Sequence, residues 1–238
     1  MTLLITYPDH KIPDLWRNRL ESWTKVIYLP LTHFQPIMLD SEQYKIIANA
    51  QNIGLTSHFA AQLFVKNYRQ YNHTATLQVI SQKMKAQLKP YVVNPIEVSK
   101  QENRQSLIAK LKNIDPTSLC WLIGNQLSAT VKLPGKVLVI YQNVWNEQLQ
   151  TQASETLWQQ SINQALVTST SNFKRLMMVQ KQLNHQEFKH TQYFVLGKST
   201  GKVITQADLP VIYPTQTTAV LINILSQIEQ TIKEEKSL

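Results

Sequence analysis

Hydroxyl side chains occur twice where an apolar run gives way to a helix-like pattern. The two segments are IGLTSHFA, residues 53–60, and ALVTSTSN, residues 165–172. Their hydroxyls belong to Thr56 and Ser57 in the first segment and to Thr168, Ser169, Thr170 and Ser171 in the second. Free backbone N–H groups at a helix N-terminus favour anions, and nearby hydroxyls can add hydrogen bonds to a carboxylate. A Ser or Thr at this place can equally be a helix cap and nothing more, and the sequence leaves both interpretations open.

A third hydroxyl-containing joint is LGKSTGK, residues 196–202, with Ser199 and Thr200 at its centre. It is similar to part of a phosphate-binding loop, but the spacing G-x-x-x-x-G-K-[ST] is absent. The segment therefore predicts an anion-binding nest rather than a nucleotide site.

Tyr141 ends the apolar run VLVIY. One interpretation is an ordinary strand aromatic. The other is a phenol at the mouth of a cleft, available as a hydrogen-bond or proton donor.

The sequence shows no motif for metal binding or serine hydrolysis, and its one cysteine does not indicate thiol chemistry. Its six histidines, at positions 10, 33, 58, 73, 185 and 190, show no H-x-x-x-H or H-E-x-x-H spacing, so we expect no metal. No G-x-S-x-G elbow of a serine hydrolase is present. The single Cys120 lies in the apolar run LCWLI, which indicates core packing.

The net charge of +9 on 238 residues predicts an anionic partner, which by charge alone could be nucleic acid, a membrane surface or a polyanionic small molecule. Lys and Arg are dispersed and no nucleic-acid-binding signature occurs, so we expect no nucleic acid partner. The sequence shows no signal peptide and no apolar run long enough to span a membrane, which predicts a soluble, cytoplasmic protein without a membrane partner.

Strand-like and helix-like segments alternate along the chain. The strand-like runs are residues 3–6, 26–31, 53–56, 76–80, 91–93, 119–123, 137–141, 165–168, 192–196 and 210–213. The helix-like segments are residues 11–22, 41–50, 58–70, 83–89, 102–113, 152–163, 171–184, 199–206 and 217–234. Many of the strand-like runs are apolar throughout, as in strands buried on both faces of a parallel sheet. The alternation predicts an α/β fold with parallel sheets.

A weak internal repeat divides the chain in two. Residues 50–57 align with 162–169, and residues 79–88 align with 195–204. The first strands of the chain match the runs at 119–123 and 137–141. We therefore predict one discontinuous domain, residues 1–32 plus 146–238, and a second domain, residues 36–143. Crossings near 33–39 and 141–146 would form a hinge, with a cleft between the domains as a natural binding site.

Several segments, taken in order, resemble the uroporphyrinogen-III synthase family. They are LLITYP, YLPL, GLTSHFAA, PGKVLVIYQN, ALVTSTSNFKRL, VLGKSTGKVI and TTAVLINIL. The second to fifth resemble the family's second strand, its first Thr-Ser joint, its Tyr-ending strand and its second Thr-Ser joint, while VLGKSTGKVI resembles its Gly-x-x-Thr segment. The resemblance runs along the whole chain.

The resemblance implies two flavodoxin-like domains joined by a two-stranded linker. It implies an enzyme, a lyase that closes linear hydroxymethylbilane into uroporphyrinogen III with ring D inverted, in haem biosynthesis. The substrate makes its own electrophile, so no cofactor or metal is implied. We expect a monomer, with the upstream hydroxymethylbilane synthase as a candidate protein partner.

The site residues follow from the same resemblance. Tyr141 would be catalytic. The substrate-binding residues would be Thr56, Ser57, Ser81, Thr168, Ser169, Ser171, Ser199 and Thr200.

The sequence departs from the family pattern at four positions. Tyr7 stands where Arg is usual, Ser81 and Met84 replace the Gly and Thr of the first Gly-x-x-Thr segment, and Ile123 stands where Arg-Gly is common. These departures keep an alternative open, in which the chain is a noncatalytic two-domain module that binds a small anionic ligand in its interdomain cleft.

Overall fold

The computed structural model describes residues 1–126, 131–183 and 188–237. Its strands are β1 (Thr2–Ile5), β2 (Lys25–Tyr28), β3 (His33–Pro36), β4 (Asn52–Leu55), β5 (Thr76–Val79), β6 (Ile96–Val98), β7 (Leu119–Gly124), β8 (Lys136–Val144), β9 (Gln164–Val167), β10 (Gln192–Val195) and β11 (Val211–Ile212). Its α-helices are α1 (Asp14–Trp23), α2 (Ser41–Asn49), α3 (His58–Leu63), α4 (Gln82–Leu88), α5 (Arg104–Leu111), α6 (Glu147–Leu157), α7 (Thr170–Gln182), α8 (Lys198–Thr205) and α9 (Val220–Lys236).

The chain divides into two compact units. Unit one is Met1–His33 with Trp145–Leu238, and unit two is Phe34–Val144. The hinge role expected for residues 33–39 and 141–146 stays a prediction.

The sheet of unit one has the strand order β2-β1-β9-β10-β11, and its neighbouring strands are parallel. Its inner strands β1, β9 and β10 are almost entirely buried because helices cover both faces of the sheet. Leu4 and Ala165 face a core shared with α6, α7 and α8. Leu3 and Ile5 face the opposite core, shared with α1 and α9. Adjacent side chains of β1 thus pack into cores on opposite faces of the sheet, which explains why the strand is apolar throughout.

The sheet of unit two has the strand order β3-β8-β7-β4-β5-β6, and the pairs from β8 to β6 are parallel. One face packs against α2, α3 and α4, and the other packs against α5. β7 and β8 come last in this unit, yet they hold the places that β1 and β2 hold in unit one. This is the correspondence that the internal repeat predicts.

The prediction of an α/β fold with parallel sheets is confirmed, but three element predictions were wrong. Residues 91–93 form no strand: Val93 is 82% exposed, and pairing with β5 begins only after Pro95. α6 begins at Glu147 rather than at residue 152, because the Asn146 side chain accepts a hydrogen bond from the Leu149 N–H at 3.0 Å. The helix predicted over 58–70 continues beyond α3 only as a π-helical turn and a 3₁₀ turn.

Some predictions fall on residues that are not described, namely His185 and the end of a helix at residue 184. Within the described residues, no helix combines the length and the apolar character that crossing a membrane requires.

Candidate functional site

Tyr141 and Ser57 are in direct contact in unit two. Tyr141 lies on β8 and Ser57 directly precedes α3. The Tyr141 hydroxyl is 2.9 Å from the Ser57 Oγ, and either oxygen can donate. The same Ser57 Oγ accepts the Ala60 N–H at 3.0 Å, so it also caps α3. A hydroxyl has one hydrogen and two lone pairs, so both contacts can exist together. The two interpretations of this joint, cap and functional hydroxyl, are therefore compatible.

The Tyr141 ring is held on several sides. Phe34 and Phe59 meet it edge to face, with ring centroids 5.2 and 5.0 Å away. Gly124 of β7 lies opposite Tyr141 in the sheet, and a Cβ there would come within 2.4 Å of the ring. Only 8% of Tyr141 is exposed. The position of the phenol is thus fixed by packing as well as by Ser57.

Thr56 and Ser81 lie close to this pair in the fold of unit two. Thr56 follows β4 and is 8% exposed. Ser81 follows β5, the neighbouring parallel strand, and its Oγ caps α4 by accepting the Met84 N–H at 3.2 Å. The carboxyl ends of parallel strands meet at one edge of a sheet, where ligands of open α/β sheets bind. The hydroxyls of Thr56, Ser57 and Ser81 therefore belong to one sheet edge.

The second Thr-Ser joint lies in unit one. Ser169 caps α7 and accepts the Asn172 N–H at 3.1 Å. Thr168 ties β9 to the end of β1: its N–H donates to the Thr6 Oγ1 at 3.1 Å and its hydroxyl to the Thr6 carbonyl at 3.3 Å. Ser171 is half-buried in the first turn of α7. Thr168 is thus engaged within the fold, while Ser169 and Ser171 lie at a helix start.

The third joint borders a cavity of about 660 Å³ within unit one. Gly197 precedes α8, and Ala219 precedes α9 in a left-handed conformation with φ of 46°. Within the described part of the chain, neither helix start has a side-chain cap. Ser199 is exposed and Thr200 is buried. The cavity is lined by Leu196, Gly197, Lys198, Lys202, Tyr213, Pro214, Gln216, Thr217 and Val220.

This cavity has the chemistry of an anion site with an apolar wall. Two lysines and two helix starts contribute positive potential. Tyr213 lies close to Gly201, where a Cβ would come within 2.2 Å of its ring. An anionic group attached to an apolar body would match both properties.

Metal ligation and thiol chemistry find little support in the described residues. They contain no group of three or more His, Cys, Asp or Glu side chains that could hold a metal ion. Cys120 is 1% exposed within the core of unit two, as predicted, and burial raises the pKa of its thiol to about 12.

A family model described as Uroporphyrinogen-III synthase HemD matches residues 24–222. The chain belongs to the uroporphyrinogen-III synthase family. The matched range includes every residue that we predicted for the site. The sequence resemblance is therefore confirmed.

Two solved structures with uroporphyrinogen-III synthase names have a similar fold. The chain is 12% identical to uroporphyrinogen-III synthetase from Helicobacter pylori, with a TM-score of 0.63 over 97% of this chain and 99% of the other. It is 11% identical to a mutant uroporphyrinogen III synthase from Thermus thermophilus, with a TM-score of 0.63 over 99% of each chain. A comparison with curated protein sequences found no match.

The residues that depart from the uroporphyrinogen-III synthase pattern differ in burial. Met84 is fully buried in a core of unit two, and Ile123 is 2% exposed in the other core of that unit. Tyr7 is half-buried, with the Lys11 Nζ 5.6 Å from its ring centroid. Both Met84 and Ile123 thus supply packing where the family pattern has polar residues.

Sequence reasoning missed the residues that contact the site residues or their direct neighbours in the chain. Phe34, Phe59 and Gly124 surround Tyr141, Thr6 holds Thr168, and Tyr213 packs on Gly201. Glycine itself was a usable signal, because the chain has only 5 glycines and two of them accept a tyrosine ring. The tyrosine partners lie 17 and 12 residues after those glycines, and no spacing rule connects them.

Proposed function

We propose that this chain is an active uroporphyrinogen-III synthase, a lyase that cyclises hydroxymethylbilane to uroporphyrinogen III with inversion of ring D. The observation that carries the proposal is the Tyr141–Ser57 contact in a chain of this family. It supplies a hydroxyl donor in a fixed position, which is the one acid that the first step of the reaction needs.

The first step is loss of the terminal hydroxyl of the substrate as water, with one hydrogen supplied by an acid, which leaves a protonated azafulvene. Tyr141 would donate a hydrogen bond, or a proton, to the departing oxygen. The hydrogen bonds around Ser57 are compatible with this direction, because either oxygen of the Ser57–Tyr141 pair can donate. If the Ala60 N–H donates to Ser57, and Ser57 donates to Tyr141, then the phenol hydrogen is left for the substrate. Such chains of hydrogen bonds strengthen one another.

The later steps need positioning rather than strong acids or bases. A spiro intermediate rearranges to the inverted ring, while the free azafulvene closes without inversion. An enzyme that holds the substrate in the productive shape favours the first outcome. This explains why the described residues provide hydroxyls and helix starts and no paired carboxylates at the site.

Charge complementarity supports the assignment of the substrate-binding residues. The substrate carries eight carboxylates, so its binding calls for many positive or hydrogen-bonding partners, and the chain has a net charge of +9. We assign substrate carboxylates to the strand-end hydroxyls and to the cavity beside Lys198 and Lys202. The residues are Thr56, Ser57, Ser81, Thr168, Ser169, Ser171, Ser199 and Thr200, of which Thr168 would act mainly through its contacts with Thr6.

We infer that both units are flavodoxin-like. The order β2-β1-β9-β10-β11 corresponds to 2-1-3-4-5 within unit one, and β8-β7-β4-β5-β6 repeats it in unit two with a permuted chain. The place of β3 beside β8 supports a two-stranded linker.

The oligomeric state, the location, the cofactor requirement and the source of the substrate are part of the same proposal. The enzyme would act as a monomer in the cytoplasm, without cofactor or metal, on substrate made by hydroxymethylbilane synthase. The self-generated electrophile supports the absence of a cofactor.

One observation favours a second candidate, a noncatalytic module that binds a small anion. Met84 and Ile123 are buried hydrophobic residues at places where the family pattern has polar ones. Freshly prepared hydroxymethylbilane distinguishes the two candidates. The proposal predicts that the purified chain raises the share of uroporphyrinogen III well above that of the spontaneous reaction. Binding of the substrate with only the uninverted product would support the module.

A further inference from the structure

A buried cation in unit one contacts both segments by which the chain passes between the two units. Arg175 lies on α7 and is 6% exposed. Its guanidinium donates a hydrogen bond to the Leu31 carbonyl, two residues before the chain leaves unit one. Its Cζ also lies 5.1 Å from the ring centroid of Trp145, the residue at which the chain re-enters unit one. One side chain therefore holds both crossings.

Asn172, one turn earlier on α7, makes a second contact with the segment that leads into the first crossing. Its Oδ1 accepts the Thr32 hydroxyl at 2.8 Å. Its Nδ2 donates to the Thr6 carbonyl at 3.1 Å and to the Thr168 Oγ1 at 3.0 Å. Residues three apart on a helix share one face, so Asn172 and Arg175 act from the same side of α7. That face links residues 31–32, just before the first crossing, to the Thr-Ser joint at the start of the helix.

The electrostatics around Arg175 fit a fixed anchor. A buried guanidinium is costly unless its hydrogen-bonding groups are used, and burial lowers the pKa of Arg175 from its usual value. Burial, with the Arg175 charge as the next cause, also lowers the pKa of His33. His33 is therefore neutral at neutral pH, and the buried charge next to it is that of Arg175. The His33 and Trp145 rings lie 6.3 Å apart beside it.

We propose that Arg175 is a positioning residue that holds both crossings against α7, so that the crossings and the Ser169 end of that helix move as one body. The catalytic part of this inference rests on the proposed function. The anchoring part does not, because it concerns contacts within unit one. Loss of the anchor would displace substrate contacts at Ser169 relative to the crossings, which would slow the reaction without removing any group that touches substrate.

The test uses Arg175→Met, Arg175→Lys and a matched control. Methionine keeps most of the apolar stem and removes the charge, the hydrogen bond to Leu31 and the cation-π contact with Trp145. Lysine keeps the charge and can reach a carbonyl, but it lacks the flat guanidinium that lies on Trp145. Glu229→Gln is the control, because Glu229 is a second buried charge of unit one, 4% exposed and paired with Arg19 and Lys233 on α1 and α9. Those helices cover the opposite face of the sheet.

The first readout is amide hydrogen exchange in peptides that cover residues 29–37 and 143–149. We expect exchange there to rise at least about tenfold in Arg175→Met, to rise less in Arg175→Lys, and to stay at the wild-type rate in Glu229→Gln. The second readout is steady-state kinetics with hydroxymethylbilane. We expect Arg175→Met to lower kcat by roughly ten- to a hundredfold with little change in KM, since small misplacements of bound groups have effects of this size.

Each other result overturns a defined part. Unchanged exchange at either crossing in Arg175→Met, or an equal rise in Glu229→Gln, overturns the anchor. Raised exchange with unchanged kcat overturns the positioning role. An inactive wild type overturns the proposed function, while the exchange data still decide the anchor.

If Arg175→Met does not fold, Arg175→Lys decides the anchor. Lysine lacks the guanidinium over Trp145, so exchange in residues 143–149 should rise above the wild-type rate while Glu229→Gln leaves it unchanged. Unchanged exchange in residues 143–149 of Arg175→Lys would overturn the anchor.

Discussion

The Ser57 Oγ lies 2.9 Å from the Tyr141 hydroxyl and 3.0 Å from the Ala60 nitrogen, whose N–H it accepts. One serine, two residues after a buried strand, therefore starts a helix and contacts a phenol. The contact joins residues 84 positions apart. Through it, a serine that the sequence indicates as a helix cap also contacts the proposed acid.

Ser57→Ala and Ser81→Ala should differ in activity more than in stability. Each serine caps a helix of unit two by accepting one backbone N–H, so each substitution should lower the free energy of unfolding by about 1 kcal/mol. Only Ser57 contacts Tyr141. Ser57→Ala should therefore lower kcat about tenfold or more, and Ser81→Ala should act mainly on KM. Denaturant melts and initial rates measure both, and equal kcat values would argue against a role for the Ser57 contact.

Gly124→Ala should disturb Tyr141 directly. The added Cβ would lie 2.4 Å from the phenol ring, so either the ring or the strand must shift. Overpacking of this kind costs roughly 1–3 kcal/mol. Gly197→Ala is the control, because nothing lies within 4 Å of the Cβ position there. Thermal melts should show a clear loss for Gly124→Ala and almost none for Gly197→Ala. Two unchanged melts would mean that the tyrosine is not packed as described.

The double variant Lys198→Gln/Lys202→Gln should weaken substrate binding. Both lysines line the cavity beside the uncapped starts of α8 and α9, and removal of two exposed positive charges should raise KM about three- to tenfold at low salt. Lys25→Gln/Lys181→Gln removes the same charge in unit one, at the start of β2 and the end of α7, which is the opposite edge of the sheet. An equal rise in KM for the two variants would indicate an effect of net charge alone.

Cys120 should resist alkylation until unit two unfolds. It is 1% exposed, and burial raises the pKa of its thiol to about 12. Iodoacetamide at pH 8, followed by mass spectrometry, should label the native chain far more slowly than the denatured chain. Rapid labelling of the native chain would contradict the described core.

The same shift predicts a pH dependence of stability. The folded state holds the thiol proton more tightly than the unfolded state, whose thiol titrates near its ordinary value of 9.0. The stabilising effect is complete below that value. It is lost progressively as the pH rises from about 9 toward 12, so the denaturant midpoint of unit two should fall over that interval. Cys120→Ser, which keeps the size and has no thiol to titrate, should lack this component.

Much of the fold could be predicted because its signals are local. Leu3, Leu4 and Ile5 form an unbroken apolar run, as a parallel strand between two helix layers requires. The repeat of the two Thr-Ser joints reflects two sheets with the same strand order. The wrong strand at 91–93 shows the limit of this reasoning. Tyr91 and Val93 are apolar but exposed, because the pairing partner of β5 begins only after Pro95.

The candidate site could be predicted only where a residue carries its own signal. Ser57 and Ser169 were visible as hydroxyls at strand ends, whereas Ser81 came only from the resemblance to the family. Arg175 was not, because its meaning lies in contacts with Leu31 and Trp145, which no spacing in the sequence connects. Thr168 looked open for a ligand, and its engagement with Thr6 depends on the pairing of β9 with β1.

The central claim is that Tyr141 acts in an inverting cyclisation, and the rate of uroporphyrinogen III formation by wild type and Tyr141→Phe tests it most directly. The Phe variant removes only the hydroxyl and keeps the ring between Phe34 and Phe59, so the melting temperature should change little. We predict that wild type forms mainly the inverted isomer. The variant should be slower by about a hundredfold, the low end for a general acid because the azafulvene also forms spontaneously, with a larger share of uninverted product. An active wild type and a Phe variant with the same rate and the same isomer ratio would contradict the account.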